Sequence, residues 1–369
     1  MMKNRFEVEG MEKEISPCLV YYEDTIRENI GKAIQIAGSA ERLWPHVKSH
    51  KSLDMVKLQM EYGIRKFKTA TISEAEMVAE AGAESVILAY PLIGPNMERL
   101  ICLSKAYPKT EFYAIEDDLR QLELFSELCQ SWEVRMPVLI DVNMGMNRTG
   151  VNLEDLENLY REASLLPGIR MSGLHCYDGN HNHKDFEVRN AEVAKTDRQV
   201  QEIVDRLKED RIACELIVAG GTPSFPCHVR NTDWYVSPGT AFINDAGYYM
   251  NLSDIPCIPG AAIMTRVISH PAEGVFTTDL GYKGIAADPA VQRGYIVGLE
   301  DAVPIIHSEE HWAFRLADTD RIPDIGTCLY VIPTHICPTS ALYPDILVAQ
   351  KGKLKDRWKV TARNRKITF

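Results

Sequence analysis

From about residue 42 to residue 242 the chain alternates between two textures. One is a short apolar, β-branched run that ends in polar residues or in Gly and Pro. The other is a longer stretch whose apolar residues recur at helical spacing. The short runs predict eight strands, over residues 43–48, 66–71, 85–90, 111–115, 137–142, 173–177, 216–219 and 234–237. Leu153, Leu156, Leu159, Tyr160 and Ala163 mark one of the intervening helices, and Ile26, Ile30, Ala33 and Ile34 mark another before the first strand. Ser73 opens Ser-Glu-Ala-Glu, a capping-box pattern ahead of Met77 and Val78. Eight alternating units fit an eight-stranded β/α (TIM-type) barrel or an open doubly wound sheet, and the count favours the barrel.

After about residue 261 the texture changes. Residues 265–269, 274–278, 295–298 and 329–333 are short strand-like runs divided by Pro, Gly and Asp, and helical patterning mostly disappears. The expectation is a C-terminal β-rich domain over 261–369, ending in a basic surface strand or hairpin.

Composition narrows the possible partners. Of the 369 residues 45% are hydrophobic, ample for a sizeable core and compatible with two domains. The net charge of -11 argues against nucleic acid or an anionic membrane as partner. No stretch approaches the roughly 20 apolar residues that span a bilayer, and residues 1–14 lack the apolar segment of a signal peptide. The nine cysteines are scattered, with no CxxC pair, which suits reduced thiols and a cytoplasmic location.

In β/α barrels chemistry sits at the C-terminal ends of the strands. The runs Gly220-Gly221-Thr222-Pro223-Ser224 and Ser237-Pro238-Gly239-Thr240 follow predicted strands seven and eight, the usual phosphate position of this fold. Glycine lets backbone N–H groups approach phosphate, and hydroxyls add donors. Plain turns are the alternative, and two such loops side by side favour phosphate. Lys48 closes predicted strand one, where a partly desolvated amine suits Schiff-base chemistry, with a plain surface lysine as the alternative. Phosphate site and strand-end lysine together match what pyridoxal phosphate needs. In the second domain, His335 and Cys337 fall on one side if residues 334–339 form a strand. An imidazole and a thiolate so placed can grip one metal ion, Zn²⁺ before Mn²⁺ or Mg²⁺, with positions left open; simple packing is the alternative. Tyr177 is open to two roles, lining a cofactor ring or filling the barrel, and Arg148 to either binding the cofactor or pairing in a loop.

Taken together these motifs resemble the fold-type III pyridoxal-phosphate enzymes, in the D-threonine aldolase and D-serine dehydratase branch with an alanine racemase-like barrel. The matching pieces are Pro45-His46-Val47-Lys48-Ser49-His50-Lys51, residues 141–150, Gly220-Gly221-Thr222-Pro223-Ser224, Pro238-Gly239-Thr240, Glu309-Glu310-His311 and His335-Ile336-Cys337-Pro338-Thr339. They run in the family's order over nearly the whole chain. The resemblance implies that Lys48 holds the cofactor, that Arg148 lies near its phenolic oxygen and Tyr177 near its ring, and that Gly221, Thr222, Ser237, Gly239 and Thr240 form its phosphate site. It implies that His335 and Cys337 bind the metal. It also implies a barrel over 20–260, a β domain built from 1–19 and 261–369, and a homodimer. The expected activity is a lyase acting on small D-3-hydroxy amino acids by retro-aldol cleavage, with dehydration to a 2-oxo acid and ammonia as the alternative. Racemisation and non-catalytic cofactor binding fit less well, because no tyrosine base can be placed and the second domain is large. Two features depart from the pattern: Trp44 stands where the family usually has Arg, and D-threonine aldolases commonly carry Asp where Cys337 stands.

Overall fold

The computed structural model describes residues 3–366 and Thr368. Contacts divide the chain into two compact units, one of residues 1–33, 49–54 and 240–363, the other of residues 34–48, 55–239 and 364–369. The first strand, β1 (Cys18–Tyr22), belongs to the former.

The second unit holds seven parallel strands in sequential order: β2 (Lys66–Thr69), β3 (Ser85–Leu88), β4 (Glu111–Glu116), β5 (Met136–Asp141), β6 (Ile169–Cys176), β7 (Leu216–Ala219) and β8 (Tyr235–Val236). The predicted first strand is the exception. Residues 43–46 make only isolated bridges, Leu43 with Val236 and His46 with Lys68. Those bridges nevertheless join β8 to β2 and bring the two edges of the curled sheet together. Pro45 is the physical reason for the irregularity, since it has no N–H to give to a ladder. Its carbonyl still accepts from the N–H of Lys68 at 2.8 Å, while Trp44 N donates to Val236 O at 2.9 Å and His46 N to Pro238 O at 3.0 Å.

Inside the ring, Trp44 packs with Ile87, Tyr113, Ile115, Leu139 and Val218. Its indole meets Tyr113 and Tyr235 edge-on, at centroid distances of 5.8 and 6.3 Å. Outside it, Leu156, Tyr160 and Ala163 form the buried stripe of the helix Leu153–Ala163. The helix Ile72–Glu80 has its cap two residues before the expected one. Thr71 is its N-cap, accepting from Glu74 N at 3.1 Å, and Glu74 in turn accepts from Ala70 N at 2.7 Å.

The other unit is built on a nine-stranded sheet. Its strands after β1 are β9 (Ala261–Ala272), β10 (Val275–Thr278), β11 (Gly294–Ile296), β12 (Val303–His307), β13 (Trp312–Arg315), β14 (Cys328–Pro333), β15 (Asp345–Gln350) and β16 (Lys353–Lys359). Strand β1 lies between β9, antiparallel, and β15, parallel, so the N-terminal segment completes this sheet. The basic tail forms β16, a hairpin partner of β15. Residues 334–339 are not a strand. His335 caps the helix Ile336–Leu342, because Pro338 is tolerated in a first helical turn, where its missing N–H costs nothing.

Candidate active site

The barrel unit gathers its chemistry around Tyr177, just beyond β6. The Arg148 guanidinium stands 4.8 Å from the centre of the Tyr177 ring and the Lys48 amine 5.7 Å from it. Three residues expected to share a cofactor therefore converge on one ring. A fourth, Lys68 on β2, has its amine 5.4 Å from the same centre. Lys68 is 1% exposed, and its Nζ donates to His175 Nε2 at 3.4 Å. The His175 tautomer follows from its other side, where Nδ1–H donates to the Asp141 carboxylate at 2.7 Å. Burial and then the Lys68 charge keep His175 below the usual imidazole range. Burial works against the Asp141 charge, but the hydrogen bond from His175 outweighs it and holds the carboxyl low. Burial, followed by the nearby Lys48 charge, brings the Lys68 amine down to about 7.

The loop after β7 is anchored from beneath. Gly220 has φ of 79°, a left-handed conformation, and a Cβ there would come within 2.8 Å of His228. A Cβ on Gly221 would press on the Tyr177 ring at 3.1 Å, and one on Gly239 would meet the His46 carbonyl at 3.0 Å. The loops after β7 and β8 are joined by Gly239 N donating to Thr222 Oγ1 at 3.3 Å. Ser224 Oγ accepts from Gly221 N at 3.1 Å and donates to Asp178 at 2.5 Å. Asp178 also lies 3.0 Å from His228 Nε2, and Asp197 lies 2.9 Å from His228 Nδ1. Burial opposes a charge on His228, but these two carboxylates outweigh it and raise the imidazole to about 10. Ser237 has a different occupation: its hydroxyl donates to Trp44 O at 2.7 Å and ties β8 to the irregular stave.

Thr240, His335 and Cys337 lie in the β-rich unit. Thr240 Oγ1 is 3.1 Å from Cys337 Sγ, and His335 Nδ1 is 2.5 Å from Asp288 Oδ2. Burial opposes a charge on His335; Cys337 and Asp288 outweigh it and lift the imidazole to about 9. A single buried carboxylate positions the pair. Asp245 accepts from Ile336 N and from Tyr248 N, each at 3.0 Å, and so caps two helices; burial moves its carboxyl up to about 6. Among the described residues no group of three or more His, Cys, Asp or Glu side chains stands ready to hold a metal. The donor set that is present is an imidazole braced by a carboxylate beside a thiol. This suits a soft divalent ion whose other positions stay open. Glu309 and Glu310 lie apart from it, paired with Lys283 at 2.5 and 3.7 Å.

Sequence reasoning gave no role to Lys68, Asp141, His175, Asp178, His228 or Asp288. For Lys68 a signal existed. Parallel strands buried on both faces read as apolar runs, and Lys66-Phe67-Lys68 places two cations on alternate positions of one.

Residues 22–245 match the family model described as alanine racemase, N-terminal domain. The chain belongs to that family. These are fold-type III pyridoxal-phosphate enzymes, and residues 260–349 of this family member match a second model, the "Putative serine dehydratase domain". A D-threonine aldolase of Arthrobacter sp is 27% identical over 326 residues, 87% of this chain and 85% of that protein. A 3-hydroxy-D-aspartate aldolase of Paracoccus denitrificans is 27% identical over 369 residues, covering 96% and 94%. The solved structure of D-threonine aldolase from Filomicrobium marinum superposes with a TM-score of 0.90 at 26% identity, covering 97% and 98%. D-threo-3-hydroxyaspartate dehydratase from Delftia sp. HT23 shares the fold, with a TM-score of 0.82 at 20% identity over 95% and 98% of the two chains. No described helix is long and apolar enough to cross a membrane.

Proposed function

We propose that this protein is a pyridoxal-phosphate- and divalent-metal-dependent lyase that cleaves D-3-hydroxy amino acids to glycine and an aldehyde. The observation that carries the reading is the convergence of Lys48 and Arg148 on the Tyr177 ring beside the glycine-rich loop of Gly221. Lys48 supplies the amine for covalent attachment, Arg148 the cation for the phenolic oxygen, and Tyr177 a ring contact. Gly221 and Gly239, where a Cβ would crowd the Tyr177 ring and the His46 carbonyl, keep the backbone open to phosphate oxygens, and Thr222 and the Gly239-Thr240 turn add hydroxyls. His335 and Cys337 supply the metal donors, and a thiolate with an imidazole favours Zn²⁺ over Mn²⁺ or Mg²⁺. When bound, the cofactor draws off negative charge from Cα, and the metal acts as a Lewis acid toward the 3-hydroxyl.

The chain's own residues then have separable tasks. Lys48 Nζ would hold the cofactor between turnovers. Asp141 holds the proton on His175 Nδ1 and leaves Nε2 free of one. Asp288 fixes the His335 ring, as carboxylates commonly orient ligating imidazoles.

Dehydration is the second reading, favoured by the thiol at Cys337 and by the match of residues 260–349. In that case Lys48 Nζ removes the Cα proton and hydroxide departs from Cβ. Product analysis with D-threonine, pyridoxal phosphate and Zn²⁺ separates the two. Glycine and acetaldehyde are expected. 2-Oxobutanoate and ammonia would move the protein to the dehydratases, and L-allo-threonine would sink both readings.

Nine free cysteines support a reducing, cytoplasmic setting. A homodimer is supported by Val303, Ile305 and Ile306, exposed on the edge strand β12. Light scattering should give twice the chain mass of 41.6 kDa.

A further inference from the structure

The cluster around Tyr177 holds one cation more than the proposed function employs. On that reading, Lys48 and Arg148 both have tasks and Lys68 has none. Its amine is out of a substrate's reach, since the residue is 1% exposed. It is also held in place. His175 Nε2 accepts from it at 3.4 Å, and Asp141 fixes His175 at 2.7 Å. An Asp–His pair of this kind orients whatever its outer nitrogen touches, here an amine on the barrel wall.

The charged and titratable groups around Lys68 come from residues 46–48, from β5 and β6 and from the loops after them. The irregular stave brings His46 and Lys48, β5 brings Asp141, and the loop after β5 brings Arg148. Strand β6 and the turn after it bring His175 and Asp178. Both carboxylates are already engaged, Asp141 by His175 and Asp178 by Ser224 and His228. Lys68 and Lys48 stand at nearly equal distances, 5.4 and 5.7 Å, from the centre of the same ring. After burial, the Lys48 charge is the largest influence on the Lys68 amine. Burial and the Lys48 charge already bring the Lys68 amine near neutrality, so its own charge changes within the working range of pH.

We propose that Lys68 is a positioning residue that acts through the field it exerts on Lys48, with the Asp141–His175 pair holding its amine beside Tyr177. A cation at Lys68 disfavours a second positive charge at Lys48, and a neutral group at that position tolerates it. The pH dependence of the cofactor lysine is thus set partly by a lysine that forms no bond to the cofactor. The inference rests on the proposed function, in which Lys48 carries pyridoxal phosphate.

The test uses the protein loaded with pyridoxal phosphate. Its visible absorbance is followed from about pH 5 to about pH 10, a span that brackets the Lys68 value of about 7. Lys68→Met shortens the side chain by one atom and removes the charge, whereas Lys68→Arg fixes a cation there at every pH. The absorbance midpoint of Lys68→Arg should lie about one pH unit below that of Lys68→Met, with the wild type within that interval. A purely structural role would alter folding or cofactor content without separating the midpoints. Coincident midpoints in the two variants overturn the proposal. If Lys68→Met fails to fold, Lys68→Arg is compared with the wild type, and coincidence there is equally fatal. Failure of the wild type to develop any visible band would overturn the parent reading, and this inference with it.

Discussion

At the scale of single residues, the reading turns on which side chains are replaceable. Lys48→Ala should abolish both turnover and the visible absorbance of the loaded protein, because no other amine is expected to attach the cofactor. An unchanged spectrum would shift the role elsewhere, with Lys51 the first replacement to test. His335→Ala should lower the bound metal, read by elemental analysis, well below wild-type stoichiometry and leave the cofactor spectrum intact. Metal retained at wild-type stoichiometry would reduce His335 and Cys337 to packing. The lysine proposed to hold the cofactor and the pair proposed to hold the metal could be singled out in the sequence because each stands in a short motif beside Gly, Pro or another reactive group. Asp288 was not, being 47 residues from the His335 it touches. Asp141 and His175 were visible as residues at strand ends, but nothing local announced their pairing. That pairing depends on the register of β5 against β6, in which the two stand side by side.

Elements contribute through what they bury. The helices Phe186–Glu209 and Phe225–Asn231 bring Asp197 and His228 to Asp178, beneath the loop after β7. His228 is charged in the folded state, and its raised value of about 10 compares with 6.5 when solvated. Its contribution to stability is therefore complete below about pH 6.5 and is lost as the pH climbs toward about 10. The midpoint of thermal unfolding should fall across that window. His228→Gln should lower stability by about 3–5 kcal/mol, since it leaves buried carboxylates without a counter-charge, and should flatten the fall. A wild-type midpoint that is constant from pH 7 to pH 10 would mean that His228 is neutral. Short helices and caps were the elements read least well from the sequence. The expected cap at Ser73 is really at Thr71, and the expected strand at 334–339 is the start of a helix. Both depend on partners outside the local pattern: Asp245, which caps the helix after His335, is 91 residues away from Ile336.

For the molecule as a whole, the alternation of textures was enough to place the parallel strands and to separate a β-rich portion after residue 261. It missed β1, β12, β13 and β15; β12 and β13 are runs of five and four residues that carry Pro304 and Arg315, and strands that short show little periodicity. It also overstated the stave at 43–48, where the apolar run was genuine but Pro45 broke the ladder. That break has a mechanical consequence. The junction closed by residues 43–46 rests on isolated bridges and on the bonds Trp44–Val236, His46–Pro238 and Lys68–Pro45, and Lys48, proposed to hold the cofactor, lies two residues beyond His46. The ring is thus a bracelet whose clasp is next to its jewel. Any ligand tethered to Lys48 and gripped by the loops after β7 and β8 spans the clasp. Its binding free energy then counts toward keeping the bracelet shut. The loaded protein should breathe less at this seam than the empty one, and a fall in cofactor supply should be felt as loosening of the barrel as well as loss of turnover.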